Sequence, residues 1–243
     1  ERNVLSRTAR HDATFLLGNI APELYPVLGE LFPKFGYLGS PDAYSAANTA
    51  RHLETIESLG QLGGPKLLVL TLNDDNIAYL PQHVAQPTQL ILPAIQRAGF
   101  DGYVVRYWLT GDLDPGTAFL AKASWRLDAT PHDVLKSRIE AICGNTAVDH
   151  ALTAFQLLDK LTSKNTPTFP WGFPVASVMR SYFLKSDPPS PRVVETLRAY
   201  ENITDHLKAA HDASTDNGKA YLAYFIGRCE FIRKALPLLA LTQ

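Results

Sequence analysis

Short apolar segments alternate with amphipathic segments along the first half of the chain. The apolar segments cover residues 13–20, 34–39, 66–72 and 101–109, and helix-like segments follow at 22–31, 43–62, 88–98 and 115–125. The two longest apolar segments, LLVLTL and YVVRYWL, are almost continuous in apolar or bulky residues, which is typical of strands covered on both faces. Because parallel neighbours need a crossover connection, strands that each lead into a helix predict a parallel sheet.

The second half of the chain has a helical pattern. Thr130 is a predicted N-cap, with Pro131 at the first helical position and Asp133 in the first turn. The predicted helices cover residues 131–142, 147–161, 193–214 and 219–239, and an aromatic, Pro-rich loop covers 166–174. A helix interior is excluded for that loop, because Pro lacks the amide hydrogen that a helix needs.

These patterns predict an α/β fold of two parts. Residues 1–126 form four βα units of a parallel (βα)8-type barrel or half-barrel, and residues 127–243 form an all-helical domain. Four units are half of an eight-stranded barrel. A half-barrel leaves two sheet edges unpaired, which soluble proteins usually cover. We therefore expect a missing amino-terminal segment before Glu1, or self-association.

Composition excludes several classes of function. The formal net charge is −1 and Lys and Arg do not cluster, which argues against a nucleic-acid partner. No apolar run reaches the roughly 18 residues that cross a bilayer, so no membrane partner is expected. Cys143 and Cys229 lie in helical patterns and are predicted to be buried thiols. No histidine spacing, serine-hydrolase elbow or nucleotide-binding glycine motif is found, so we predict no metal and no cofactor.

Polar side chains stand at the ends of the third and fourth predicted strands. Asp74 and Asp75 follow one strand, and Arg106, Trp108 and Asp112 lie at and beyond the end of the other. The carboxyl ends of parallel strands meet at one edge, where α/β enzymes place their chemistry. Arg106 and Trp108 are two residues apart and share a face of the strand. The sequence therefore predicts a site at this edge.

The two carboxylates allow two interpretations. Neighbouring residues on a strand point to opposite faces, so only one of Asp74 and Asp75 is expected to face a ligand. That one would be a catalytic or substrate-binding carboxylate. The alternative is a structural turn, in which Asn73 and Asn76 bond backbone amides at the strand end.

Arg106 and Trp108 also allow two interpretations. A guanidinium can pair with a uronate substrate or with a catalytic acid, and an indole can pack on the apolar face of a pyranose. The alternative is a core Trp and a structural ion pair of Arg106 with Asp112 or Asp114. Asn19 and Tyr37, which close the first and second strands, would line the same rim, or else serve as loop or cap residues.

The chain resembles the carboxyl-terminal portion of TIM-barrel glycoside hydrolases of the α-glucuronidase-like or β-N-acetylhexosaminidase-like kind. The resemblance is carried by GYVVRYW, TGDLDPGTAFLAKASW, ATPHDVLKSRIEAICG and YLAYFIGRCEFIRKAL, taken in that order. In those enzymes a final barrel strand leads into an all-helical domain. The acid and base of those families lie largely on middle strands, which would precede Glu1.

The resemblance implies a carbohydrate-active glycoside hydrolase, or the carboxyl-terminal part of one, that binds an oligosaccharide substrate at the strand ends. Asp74 and Asp75 would be the catalytic candidates. The substrate-binding candidates would be Arg106, Trp108, Asp112, Asn19 and Tyr37. A rival hypothesis is a non-catalytic sugar-binding or assembly module. A lyase or aldolase is less favoured, because no lysine stands at a strand end to form a Schiff base.

Overall fold

The first half of the chain forms one parallel sheet. The structure, a computed structural model, describes residues 16–18, 22–31, 35–40, 46–73, 80–106, 110–165 and 191–241. Four strands lie in the order of the chain: β1 (Leu16–Gly18), β2 (Gly36–Gly39), β3 (Lys66–Thr71) and β4 (Gly102–Arg106). All three pairings are parallel. The predicted fold of four parallel strands with alternating helices, followed by helical segments, is confirmed.

Helices follow the strands and make up most of the remaining described residues. They are α1 (Tyr25–Leu31), α2 (Thr49–Gly60), α3 (Ala85–Arg97), α4 (Asp114–Ala123), α5 (Pro131–Cys143), α6 (Val148–Asn165), α7 (Pro191–Asp212) and α8 (Asp216–Leu241), with 3-10 turns at Pro22–Leu24, Thr110–Leu113 and Asn145–Ala147. The predicted cap of α5 is confirmed, since Thr130 Oγ1 accepts a hydrogen bond from the Asp133 amide at 3.1 Å.

Helix α2 begins later than the sequence predicts. The expected start was residue 43, whereas the helix begins at Thr49, with Asn48 as its N-cap residue. The Ala46 amide donates to the Thr71 carbonyl at 2.7 Å. The chain just before α2 is therefore still bound to the end of β3, which delays the start of the helix.

One face of the sheet is covered by helices. Leu68 and Leu70 are fully buried and pack with Ile56 of α2 and Ile91 of α3 in one hydrophobic cluster. Leu120 of α4 belongs to the same cluster. Burying a Leu or Ile side chain contributes about 1.5–3 kcal/mol, so these contacts hold the helices against the sheet.

The other face of the sheet is more open. Val69 and Val104 are register partners on this face, as are Thr71 and Arg106. Val69 is partly buried, and Val104 is 44% exposed. The described helices therefore do not cover both faces, which corrects the sequence-based expectation. A barrel would turn such a face inward, but barrel closure stays a prediction.

The helical part has its own core, and a loop of the sheet reaches into it. Leu80 lies after β3, yet it is buried in the same cluster as Phe155, Ile203 and Leu222 of the helical part. The expected domain boundary at residue 126 stays a prediction. Leu80 precedes that boundary in sequence, yet it packs in the core of the helical part. The predicted burial of both thiols is confirmed, and they are the side chains of Cys143 and Cys229.

Candidate functional site

Strands β3 and β4 end together. Thr71, the last residue of β3, is the register partner of Arg106, the last residue of β4. Arg106 is exposed and lies on the same open face of the sheet as Val104. The Arg106 side chain therefore extends from the carboxyl edge of the sheet, as the sequence predicts.

Asn73 adds a buried polar group to this edge. It lies two residues beyond Thr71 and is 2% exposed. Its Nδ2 atom has no hydrogen-bond partner. An amide hydrogen donor that is buried without a partner costs about 1–3 kcal/mol. The sequence analysis treated Asn73 only as a turn residue, since nothing in the sequence indicates that its amide is left unsatisfied.

Four of the predicted site residues are not among the residues that the structure describes. Both catalytic candidates and two binding candidates lie outside the described residues; they are Asp74, Asp75, Trp108 and Asn19. Their roles stay predictions.

Asp112 is buried and paired within the protein. Asp112 is 3% exposed. Its carboxylate accepts hydrogen bonds from Arg228 Nε at 3.2 Å and from Arg228 Nη2 at 3.0 Å. The Tyr224 hydroxyl donates to it at 2.9 Å. The pKa of Tyr224 is raised to about 12, mainly by burial and in second place by this bond to Asp112. The substrate-binding role of Asp112 stays a prediction, while its visible contacts join the loop after β4 to helix α8.

Asp114 makes a second connection of the same kind. Its carboxylate accepts from Arg138 of α5 through Nε and Nη2. The Tyr221 hydroxyl of α8 donates to it at 2.9 Å. Asp112 and Asp114 are thus paired with Arg228 and Arg138, and the structural ion pair that the sequence suggested for Arg106 stays a prediction.

Tyr37 lies in the core near the amino end of its strand. Its register partner is Lys66, the first residue of β3, and it is 2% exposed. Its ring contacts Tyr25 edge to face, with the ring centres 6.0 Å apart. The structure thus places Tyr37 away from the carboxyl edge, which Gly39 occupies at the end of β2.

A cleft of about 570 Å³ is lined by residues at the start of α3 and by residues of two helices of the helical part. It lies between the amino end of α3, helix α5 and helix α6. Its floor holds two buried ionisable side chains, His83 at 6% exposure and Asp159 at 4%. Asp159 Oδ2 accepts from the Gln86 amide at 2.9 Å. Asp159 therefore caps helix α3 from a different element.

The two groups in the cleft floor have shifted pKa values in opposite directions. Burial raises the pKa of Asp159 to about 6, against hydrogen bonds from the Gln86 and Ala85 amides that lower it. Burial lowers the pKa of His83 to about 4. Both side chains are therefore drawn toward their neutral forms. This cleft was not predicted from the sequence. The feature that could have indicated it is Asp159, an acidic residue on the buried face of α6.

The described residues contain neither a candidate metal site nor a candidate membrane span. No group of three or more His, Cys, Asp or Glu side chains there could hold a metal ion. No helix within these residues is long and apolar enough to cross a membrane.

Comparison with known proteins gives one structural likeness. No protein-family model matches this chain, and no curated protein matches it. Its structure is similar to that of a family GH115 4-O-methyl-alpha-glucuronidase with specificity for decorated arabinogalactans. The TM-score is 0.57 and the sequences are 16% identical. The likeness covers 91% of this chain and 31% of the glucuronidase. The chain thus shares a glycoside-hydrolase-like fold with part of a much longer enzyme.

Proposed function

We propose that this chain is a carbohydrate-active glycoside hydrolase, or the carboxyl-terminal part of one, and that it binds an oligosaccharide at the carboxyl edge of the sheet. The observation that carries the proposal is the paired ending of β3 and β4 at Thr71 and Arg106. Asp74 and Asp75 follow Thr71 by three and four residues along the chain, so we expect one of them to lie near Arg106 on the open face of the sheet. The likeness to a glucuronidase supports the same reaction class.

The proposed substrate carries a uronic acid. A planar guanidinium binds a carboxylate through two parallel hydrogen bonds, a geometry that a lysine does not match. Arg106 would hold the uronate, and the Asn73 amide would donate a further hydrogen bond to a substrate that enters this edge. The structural neighbour acts on a glucuronic acid linkage, which is consistent with this assignment.

The proposed chemistry needs two carboxyl groups. One donates a proton to the leaving oxygen, and the other acts as nucleophile or activates water, at a separation of about 5–10 Å. Adjacent residues on an extended chain do not converge on one bond. Asp74 or Asp75 would therefore supply one carboxyl group, and a residue of a companion segment would supply the other.

Hydrolysis of chromogenic glycosides tests the proposal. Turnover of a glucuronide substrate, lost in Asp74→Asn or Asp75→Asn while the circular dichroism spectrum is unchanged, would support an enzyme. Binding of the saccharide without turnover, both by this chain and by any longer protein that contains it, would instead support the sugar-binding module. Equal turnover by both variants and the parent would remove these carboxylates from the mechanism.

A further inference from the structure

The cleft between α3, α5 and α6 is separate from the strand-end residues. Its volume of about 570 Å³ lies within the about 300–1,000 Å³ range that is typical of small-molecule sites. Pro131, Leu135, Leu152 and Phe155 give it apolar walls. Nothing in the proposed reaction uses it.

A polar side chain lies unpartnered in the floor of this cleft. His83 is only 6% exposed and stands edge to face on Phe155, with the ring centres 5.7 Å apart. The His83 backbone amide donates to Thr162 Oγ1 at 3.0 Å, but its ring nitrogens form no hydrogen bond with any described residue. A buried polar group normally has a partner. A ligand in the cleft would supply one.

The exposed lining of the cleft includes three groups that both donate and accept hydrogen bonds, beside Lys160 and beside His132, whose Nδ1 lies 3.4 Å from Gln156 Nε2. Gln86 and Gln156 carry amide groups, and Ser163 carries a hydroxyl; all three are exposed and line the cleft. A neutral imidazole also offers one donor and one acceptor. Sugar hydroxyls have the same dual character. The one lysine and the one aspartate of the lining balance in formal charge, which favours an uncharged ligand.

We propose that this cleft is a second saccharide site, which binds a neutral sugar unit through His83 and Gln156. The choice of a saccharide rests on the proposed function. Topology supports it, because α3 follows β3 along the chain and the helix of a parallel unit begins on the side of the carboxyl end of its strand, where Arg106 also lies. A branched or extended oligosaccharide would contact both. The burial that lowers the pKa of His83 keeps its ring neutral at ordinary pH.

Nuclear magnetic resonance of the full chain separates the two sites. Arabinogalactan oligosaccharides are the probe, and the backbone amide shifts of β4 and of α6 are followed in one titration. We expect shifts at residues 152–163 of α6 with a Kd tighter than about 1 mM. Gln156→Ala should weaken that Kd at least fivefold. The matched control is Gln96→Ala, since Gln96 is exposed near the carboxyl end of α3, and it should leave the Kd unchanged.

Each outcome decides one of the two proposals. Shifts at β4 alone, or shifts at α6 that Gln156→Ala leaves unaltered, overturn the second site and leave the proposed function standing. Shifts at α6 alone support the second site and count against binding at Arg106. No shifts at either place overturn both. Gln156 is exposed, so its substitution does not threaten folding.

Discussion

Asp112 and Arg228 form a two-point ion pair that joins the loop after β4 to the last helix. The Nη2 to Oδ2 distance is 3.0 Å, and the exposed fractions of the side chains are 1% for Asp112 and 20% for Arg228. A charge this deeply buried is costly unless it is paired. The pair therefore holds the 3-10 turn at Thr110–Leu113 against helix α8. The two residues of the pair are 116 positions apart in sequence.

Arg228→Ala should destabilise the protein strongly. The substitution leaves the Asp112 carboxylate buried without its cation, and breaking a buried pair in this way costs about 3–5 kcal/mol. Urea denaturation measures the change in the free energy of unfolding.

Arg126→Ala is the control for that experiment. Arg126 pairs with Asp128 at 3.0 Å, with both side chains more than half exposed. Solvent-exposed pairs contribute little to stability, so this variant should be nearly as stable as the parent. Equal losses of stability in the two variants would show that the Asp112 pair has no special structural role.

Two glycines of α8 should respond oppositely to alanine. A Cβ atom on Gly218 would lie 2.5 Å from the Cys143 Cα atom, whereas a Cβ atom on Gly227 would have nothing within 4 Å. Gly218→Ala should therefore destabilise the fold by about 1–3 kcal/mol through overpacking. Gly227→Ala should stabilise it by up to about 1 kcal/mol, since alanine is the better helix former.

Thermal unfolding of both glycine variants checks this prediction. Because the two substitutions are chemically identical and lie in one helix, their difference reports mainly the close approach of Gly218 to Cys143 and Ser214. A Gly218→Ala protein as stable as the Gly227→Ala protein would mean that these residues do not approach so closely.

Asp159→Asn should change how stability depends on pH. The folded-state pKa of Asp159 is raised to about 6, so its protonation stabilises the fold at low pH, and that stabilisation is lost as pH rises through 6. His83 acts in the opposite sense. Its folded-state pKa is lowered to about 4, so its contribution is present above its ordinary pKa of 6.5 and is lost as pH falls toward 4.

The two contributions nearly cancel in the parent protein between pH 4 and 6.5. Each full shift corresponds to about 3 kcal/mol at about 1.4 kcal/mol per pH unit. The asparagine removes the titration of Asp159 and keeps an oxygen that accepts from the Gln86 amide. Denaturation at several pH values should then show that the stability of the variant rises more steeply with pH over this range than that of the parent. Parallel curves for the two proteins would contradict the burial of Asp159.

Local signals predicted much of the fold from the sequence. The uninterrupted apolar segment at β3 and the Thr130 to Asp133 cap are properties of a few adjacent residues, and the structure agrees with both. The start of α2 was missed because a hydrogen bond from Ala46 to Thr71 sets it, and the two residues are distant in sequence.

The site was less predictable for the same reason. Arg106 was found because its strand ends where the neighbouring strand ends. Asp112 carries the same chemistry, but its partner Arg228 comes from the last helix, which no spacing rule could indicate. Asp159 and His83 are buried in one cleft only in the folded chain, so their shifted pKa values have no signature in the sequence.

The affinity of the full chain for a glucuronate-bearing arabinogalactan oligosaccharide tests the central claim most directly. Isothermal titration should compare the parent with Arg106→Ala and with Arg97→Ala, a control at the opposite edge of the sheet, where α3 ends. A hydrogen-bonded charge contributes about 1.5–3 kcal/mol, so Arg106→Ala should weaken binding about 10-fold to 100-fold, and Arg97→Ala should not alter it. Equal affinity of the parent and Arg106→Ala would contradict the account.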